Sequence, residues 1–218
     1  MQWTSFITAS VLLVGAALAV AGDKGENLTF DKKDLGKVPA GWTAEKTGKG
    51  EGSVWKVVED ASAPSKSGYV LAQTAESPNG LFNVCVVNDT NLTDVEISVA
   101  FKAIKGKNDQ GGGLVWRYQD ANNYYICRMN PLEDNYRVYK VVAGKRTQLE
   151  TKEKLTVKAN EWHKLKVEME GNHIECYLDG EKMLDVKDNT FQKAGKVGLW
   201  TKSDAQTYFD DFKVSGKK

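Results

Sequence analysis

Two arginines stand where a strand would ordinarily carry apolar side chains: Arg117 in "GGLVWRYQ" and Arg128 in "NYYICRMN". A guanidinium presents five donors in a fixed fork that matches carboxylates and paired hydroxyls. Side chains alternate faces along a strand. One parity holds Leu114, Trp116 and Tyr118, the other Val115 and Arg117; in the second run Tyr125, Cys127 and Met129 oppose Tyr124, Ile126, Arg128 and Asn130. The all-apolar parity is the natural core face, so both arginines are expected on the opposite face, beside Tyr124 and Asn130. The short loop "QDANN" makes the two strands antiparallel neighbours, which would put Arg117 and Arg128 on one sheet surface. The following run, "NYRVYKVV", adds Lys140 or Arg137 according to its register. "LWTKSDAQTYF" adds Trp200, Lys202 and Asp204 if it edges the same sheet.

The turn "NPLEDN" supplies Glu133, Asp134 and Asn135. The predicted binding face therefore gathers Arg117, Tyr124, Arg128 and Asn130 with Glu133, Asn135, Lys140, Trp200 and Lys202. Arginine forks and amides there would take hydroxyls or carboxylates, and rings would stack on flat apolar ligand faces. The alternative is a solvated sheet face whose cations pair with Glu133 and Asp134 at little gain. If the chain is an enzyme, Glu133 and Asp134 are the candidate acid and base, a role that needs environments separating their pKa values. Adjacent acids in one turn also serve as turn formers. His163 and His173 lie at strand ends with no Ser or Cys nucleophile placed beside them, so triad chemistry has no support. Gly111 to Gly113 precede no helix and form no phosphate cradle; a bulge or close backbone approach explains them.

The elements that must position these residues are strands. "DVEISVAFKAI" places Val95, Ile97, Val99 and Phe101 on one face, and "WHKLKVEME" does the same with Leu165, Val167 and Met169. "HIECYLDGEKMLDV" breaks at Asp179-Gly180, and "VVAGKRTQL" breaks at Ala143-Gly144, both hairpin turns. No segment keeps a helical period, and no linker or 20–50-residue repeat divides the chain. The expectation is all-β: one antiparallel two-sheet sandwich over residues 25–215.

Composition narrows the class further. The 218 residues carry 30 basic and 29 acidic side chains, a formal net charge of +1, which argues against a nucleic-acid partner. Residues 1–21 hold no charged side chain and end in an A-x-A-like frame, Ala17, Ala19 and Ala21. This reads as a cleaved export signal, with a secreted, periplasmic or cell-envelope destination. The rival is an uncleaved anchor, the one route to a membrane partner. Cys85, Cys127 and Cys176 sit inside apolar runs without metal-ligand spacing; they read as small buried hydrophobes, the alternative being one disulfide and a leftover thiol.

"FDKKDLGKVPAGW", "GGLVWRYQDANNYY", "WHKLKVEMEGNHIECYLDGEKMLDV" and "AGKVGLWTKSDAQTYFDDFKV" together resemble the concanavalin A-like lectin/glucanase superfamily, among bacterial exported laminin-G-like and 3-keto-disaccharide hydrolase-type domains. The resemblance implies a jelly roll with one concave sheet and a carbohydrate or glycoconjugate partner on it. It also implies, in some members, a structural calcium, for which Asp31 and Asp210 are the matching positions here; otherwise these acids bond to backbone donors. The E-x-D-x-x-E strand motif of the superfamily's retaining glucanases is missing from this chain. The leading functional expectation is a carbohydrate-binding or cell-envelope interaction module. A glycoside-acting enzyme of the 3-keto-disaccharide hydrolase type and an adhesive protein-interaction domain are the alternatives.

Overall fold

The computed structural model describes residues 25–218, so the export-signal segment lies outside the described residues. Strands follow one another in chain order: β1 (Glu26–Leu28), β2 (Trp42–Thr47), β3 (Trp55–Glu59), β4 (Tyr69–Gln73), β5 (Phe82–Val87), β6 (Asp94–Lys105), β7 (Gly112–Asp120) and β8 (Asn123–Asn130). The series continues with β9 (Asn135–Val142), β10 (Lys145–Glu153), β11 (His163–Glu170), β12 (His173–Leu178), β13 (Glu181–Lys187), β14 (Lys196–Lys202) and β15 (Gln206–Lys217). The sole helical element among the described residues is a single 3-10 turn, Lys32–Asp34. The two hairpin turns read from the sequence are present. Asp179 and Gly180 have φ of 50° and 90°, and Ala143 and Gly144 have φ of 49° and 77°, the left-handed pairs that match strand twist.

All pairing between strands is antiparallel, in two sheets. One runs β13-β12-β11-β6-β15-β4-β3 with β1 added on β15; the other runs β10-β9-β8-β7-β14-β5-β2. The predicted alternation builds the core between them. Ile97, Val99, Leu165, Val167 and Phe209 of the first sheet meet Leu114, Trp116, Cys127, Met129 and Leu199 of the second. Trp116 and Tyr125 stack at 5.6 Å within it. Cys85, Cys127 and Cys176 are free thiols, all buried. Burial drives the thiol pKa of Cys85 and of Cys176 up, and all three side chains pack as small hydrophobes.

The second sheet is strongly curled. Five inter-strand steps separate β10 from β5, roughly 24 Å in a flat sheet at the usual spacing. Yet the guanidinium of Arg146 in β10 lies 5.1 Å from the Phe82 ring in β5. At one end, a side chain placed on Gly144 in the β9–β10 turn would touch Thr47 in β2 at 3.7 Å, so opposite edges of the sheet nearly meet. The outer face therefore closes over a second apolar cluster, in which Val84, Val115, Tyr124, Ile126, Val141 and Trp200 are almost entirely buried. This sheet is the concave one.

Strand alternation breaks at a place that bears on the predicted binding face. Between Trp116 and Asp120 the pairing with β8 shifts register, and the pairing with β14 shifts beside it. Arg117 takes φ of 45° at this bulge. A bulge inserts residues without partners and re-aims the side chains that follow. Trp116 thus stays in the main core, while Tyr118 joins the concave cluster and stacks on Tyr124 at 5.7 Å.

Candidate functional site

The concave face has an apolar end and a polar end. At the polar end Arg128, on β8, is 1% exposed. Its stem crosses Gly111, where a Cβ would come within 3.1 Å of Arg128 Cδ; this explains one member of the glycine triplet. Gly113 is a second, since its Cβ would strike the Cys127 carbonyl at 1.9 Å. Arg128 donates from Nη1 to Asn135 Oδ1 at 2.6 Å and from Nη2 to Glu133 Oε2 at 2.8 Å, while its Nε is buried without a partner. Glu133 also accepts from Arg137 at 3.4 Å. Beside this group, buried Asp109 accepts from Lys202 Nζ at 2.9 Å and from Asn130 Nδ2 at 3.1 Å.

Register decides which of the two candidates on β9 joins them. Arg128 pairs with Arg137 and Ile126 with Tyr139, so Arg137 and Tyr139 face the concavity. Lys140 points the other way, to Asp188 at 2.7 Å and Thr190 at 2.8 Å. Of the predicted face, Tyr124, Arg128, Asn130, Glu133, Asn135, Trp200 and Lys202 share the concave side.

Arg117 does not share a surface with Arg128. The bulge turns it toward the other sheet, where its guanidinium donates to the carbonyls of Thr93 (2.7 Å), Phe191 (2.5 Å) and Gly171 (2.6 Å). It clamps the N-terminus of β6 and the β11–β12 turn to the segment before β14. The rings are also not the open platforms the sequence suggests. Trp200 and Tyr124 are 0% exposed, and the Tyr124 hydroxyl is 2.6 Å from Thr47 Oγ1. The curl of the sheet, which no local pattern encodes, buries them.

Arg146 is the residue that sequence reading missed. Its guanidinium lies over Tyr139 at 4.4 Å, Phe82 at 5.1 Å and Trp200 at 5.6 Å, roofing the aromatic cluster. Its Nη1 is buried and has no hydrogen-bond partner. The carboxylates that act on it, Glu133 and Asp109, are engaged elsewhere: Glu133 by Arg128 and Arg137, Asp109 by Lys202. Burial pulls its pKa below the ordinary arginine value, yet a guanidinium stays charged in proteins. The only sequence signal was parity with Val141 across the Ala143-Gly144 hairpin.

The candidate acid and base are not arranged as such. Burial opposes ionisation of Glu133, but the charge and hydrogen bond of Arg128, with Asn135 and Arg137, outweigh it and hold the carboxyl below its usual range. Asp134 sits exposed at φ of 52° in the turn. Asp31 and Asp210 each bond a backbone donor. Asp31 caps the 3-10 turn at Lys33 N, and buried Asp210 accepts from Ser65 N at 2.8 Å. Among the described residues one trio could converge on a metal, His173, Glu175 and Asp185, with ligand atoms within 4.8 Å of one another. Lys182 already bridges its two acids at 2.7 and 2.8 Å. His163 is paired with Asp179 at 2.7 Å.

The model of the 3-keto-alpha-glucoside-1,2-lyase-like domain matches residues 25–215. The chain belongs to this family. A stretch of 98 residues is 31% identical to the levanase of Bacillus subtilis (strain 168), covering 44% of this chain and 14% of that enzyme. The chain thus matches only about a seventh of the length of that relative. Among solved structures, the carbohydrate binding module CBM66 from Bacillus subtilis superposes with a TM-score of 0.65 at 19% identity, over 81% of this chain and 96% of that one. The exoplasmic/lumenal domain of VIP36 in its Ca2+/Man-bound form gives 0.56 at 12%, over 85% and 88%. These likenesses show a shared fold, the concanavalin A-like sandwich anticipated from the sequence. The lyase-like domain thus presents that sandwich with its concave face roofed by an arginine.

Proposed function

We propose that this 3-keto-glucoside-lyase-like domain binds carbohydrate on the concave face, at the mouth formed by Arg146, Arg137, Glu133 and Lys202. The observation that carries the reading is the Arg146 guanidinium, stacked on rings and left without a hydrogen bond on its buried Nη1. A buried donor without a partner costs free energy that a hydroxyl or carboxylate acceptor would recover. Family membership and the likeness to a carbohydrate binding module support the ligand class. The uncharged leader of residues 1–21 supports export, where such a module meets extracellular or envelope glycans.

The test is calorimetric titration of the mature domain against a panel of oligo- and polysaccharides, with product release followed in parallel and a 3-keto-glucoside included. Saturable heat without product, weakened in Arg146→Ala, supports binding. Release of product from any sugar replaces it with the enzyme reading suggested by the family description. Absence of both heat and product overturns it.

A further inference from the structure

We infer that the saccharide bound at this mouth is acidic, a glycan bearing carboxylates, and that Arg146 is the residue that reads the charge. The inference rests on the carbohydrate reading and narrows it. Sugar recognition through ring stacking needs an exposed aromatic face. The concave face offers none among the described residues: Trp200 and Tyr124 are 0% exposed, Tyr139 4%, and Phe82 and Tyr118 7% each. Three of those rings, Tyr139, Phe82 and Trp200, already have the guanidinium of Arg146 over them. A neutral sugar arriving here meets charge rather than π-surface.

The charge it meets is cationic and uncompensated. Arg128 and Arg137 share Glu133, Arg137 also holds Glu153, and Lys202 holds Asp109. Arg146 has no carboxylate within ion-pair distance among the described residues. Charges withdrawn from water are normally paired, so a half-buried guanidinium with no carboxylate partner, beside the buried Arg128, suits an anionic ligand. A planar fork held over three rings loses less freedom on binding, which lowers the entropy cost of a two-point contact with a carboxylate. Arg128 contributes a second unmatched donor, its buried Nε.

The experiment compares galacturonate, glucuronate and mannuronate oligomers with the same oligomers after reduction of their carboxyls to alcohols. Wild type, Arg146→Gln and Arg146→Lys are titrated at low salt and at about 0.5 M salt, where exposed charge pairs are screened. Thermal unfolding and near-UV circular dichroism establish that each variant is folded. At least one acidic oligomer should bind roughly tenfold or more tighter than its reduced partner. That preference should vanish in Arg146→Gln, survive in part in Arg146→Lys, and shrink with salt. Equal binding of acidic and reduced forms overturns the acidic class and leaves the carbohydrate reading standing. An acidic preference unchanged in folded Arg146→Gln overturns the assignment to Arg146. No binding to either set, together with none in the neutral panel, overturns both.

Discussion

Replacing Arg117 by alanine separates a structural arginine from a ligand-reading one. The side chain donates to three backbone carbonyls, those of Thr93, Phe191 and Gly171, at 2.5 to 2.7 Å, and its residue is 3% exposed. Hydrogen bonds from charged donors each contribute about 1.5–3 kcal/mol, so the upper bound for three is about 5–9 kcal/mol. Carbonyls at the loop ends regain water once the side chain is gone, which brings the expected loss to about 3–5 kcal/mol. Alanine adds no new backbone strain at φ of 45°, since both residues carry a Cβ there. For a domain of this size each kcal/mol lowers the Tm by about 2–4 °C, so the midpoint should fall by about 10 °C. Urea unfolding followed by tryptophan fluorescence measures the loss, and an unchanged m-value certifies the folded state. Ligand affinity in the folded variant should match wild type, because Arg117 points away from the concave face. A loss under about 1 kcal/mol would refute the clamp. A folded variant with abolished binding would refute the placement.

Removing the charge in Glu133→Gln should cost about 2–3 kcal/mol, because buried Arg128 then loses its one carboxylate partner among the described residues and keeps only neutral acceptors; chemical denaturation reads it. Burial alone would raise Asp188, but hydrogen bonds from Lys140, Thr190 and Tyr125 hold it at about 2 against an ordinary 3.8. A depressed carboxyl stabilises the fold above its unfolded pKa, so this contribution is full above pH 4 and disappears as pH falls toward 2. The Asp188→Asn variant should show a flatter stability profile across that window in urea titrations. Gly112→Ala would drive a Cβ to 2.6 Å from the Phe101 ring and 2.9 Å from Thr207, a steric cost of about 1–3 kcal/mol visible as a lowered Tm. The three thiols should resist a thiol reagent in the native domain and all react once it is unfolded, whereas fast reaction of any one in the folded protein would contradict its burial.

Local pattern was enough to specify the sandwich. Two-residue alternation and Gly-containing turns are interactions between near neighbours, so Val95, Ile97 and Val99 on one face and the turns at Asp179-Gly180 and Ala143-Gly144 were legible without any tertiary information. The same parity placed Arg128 and Asn130 correctly on the face opposite the core, and Glu133, Asn135 and Lys202 join them there through hydrogen bonds. Parity failed at Arg117 because a bulge adds residues that alternation does not count, sending Arg117 to the far sheet and Tyr118 into the concave cluster. Lys140 and Arg137 were equivalent by pattern, and only pairing with β8 chose between them. The burial of Trp200 and the position of Arg146 came from the curl of the second sheet, a property of seven paired strands together. Strand β10 reaches β5 across the concavity although more than fifty residues separate Phe82 from Arg146 in the chain, and no window of sequence contains both. Alternation encodes which face a side chain takes; curvature, set by the whole sheet, decides what it meets there.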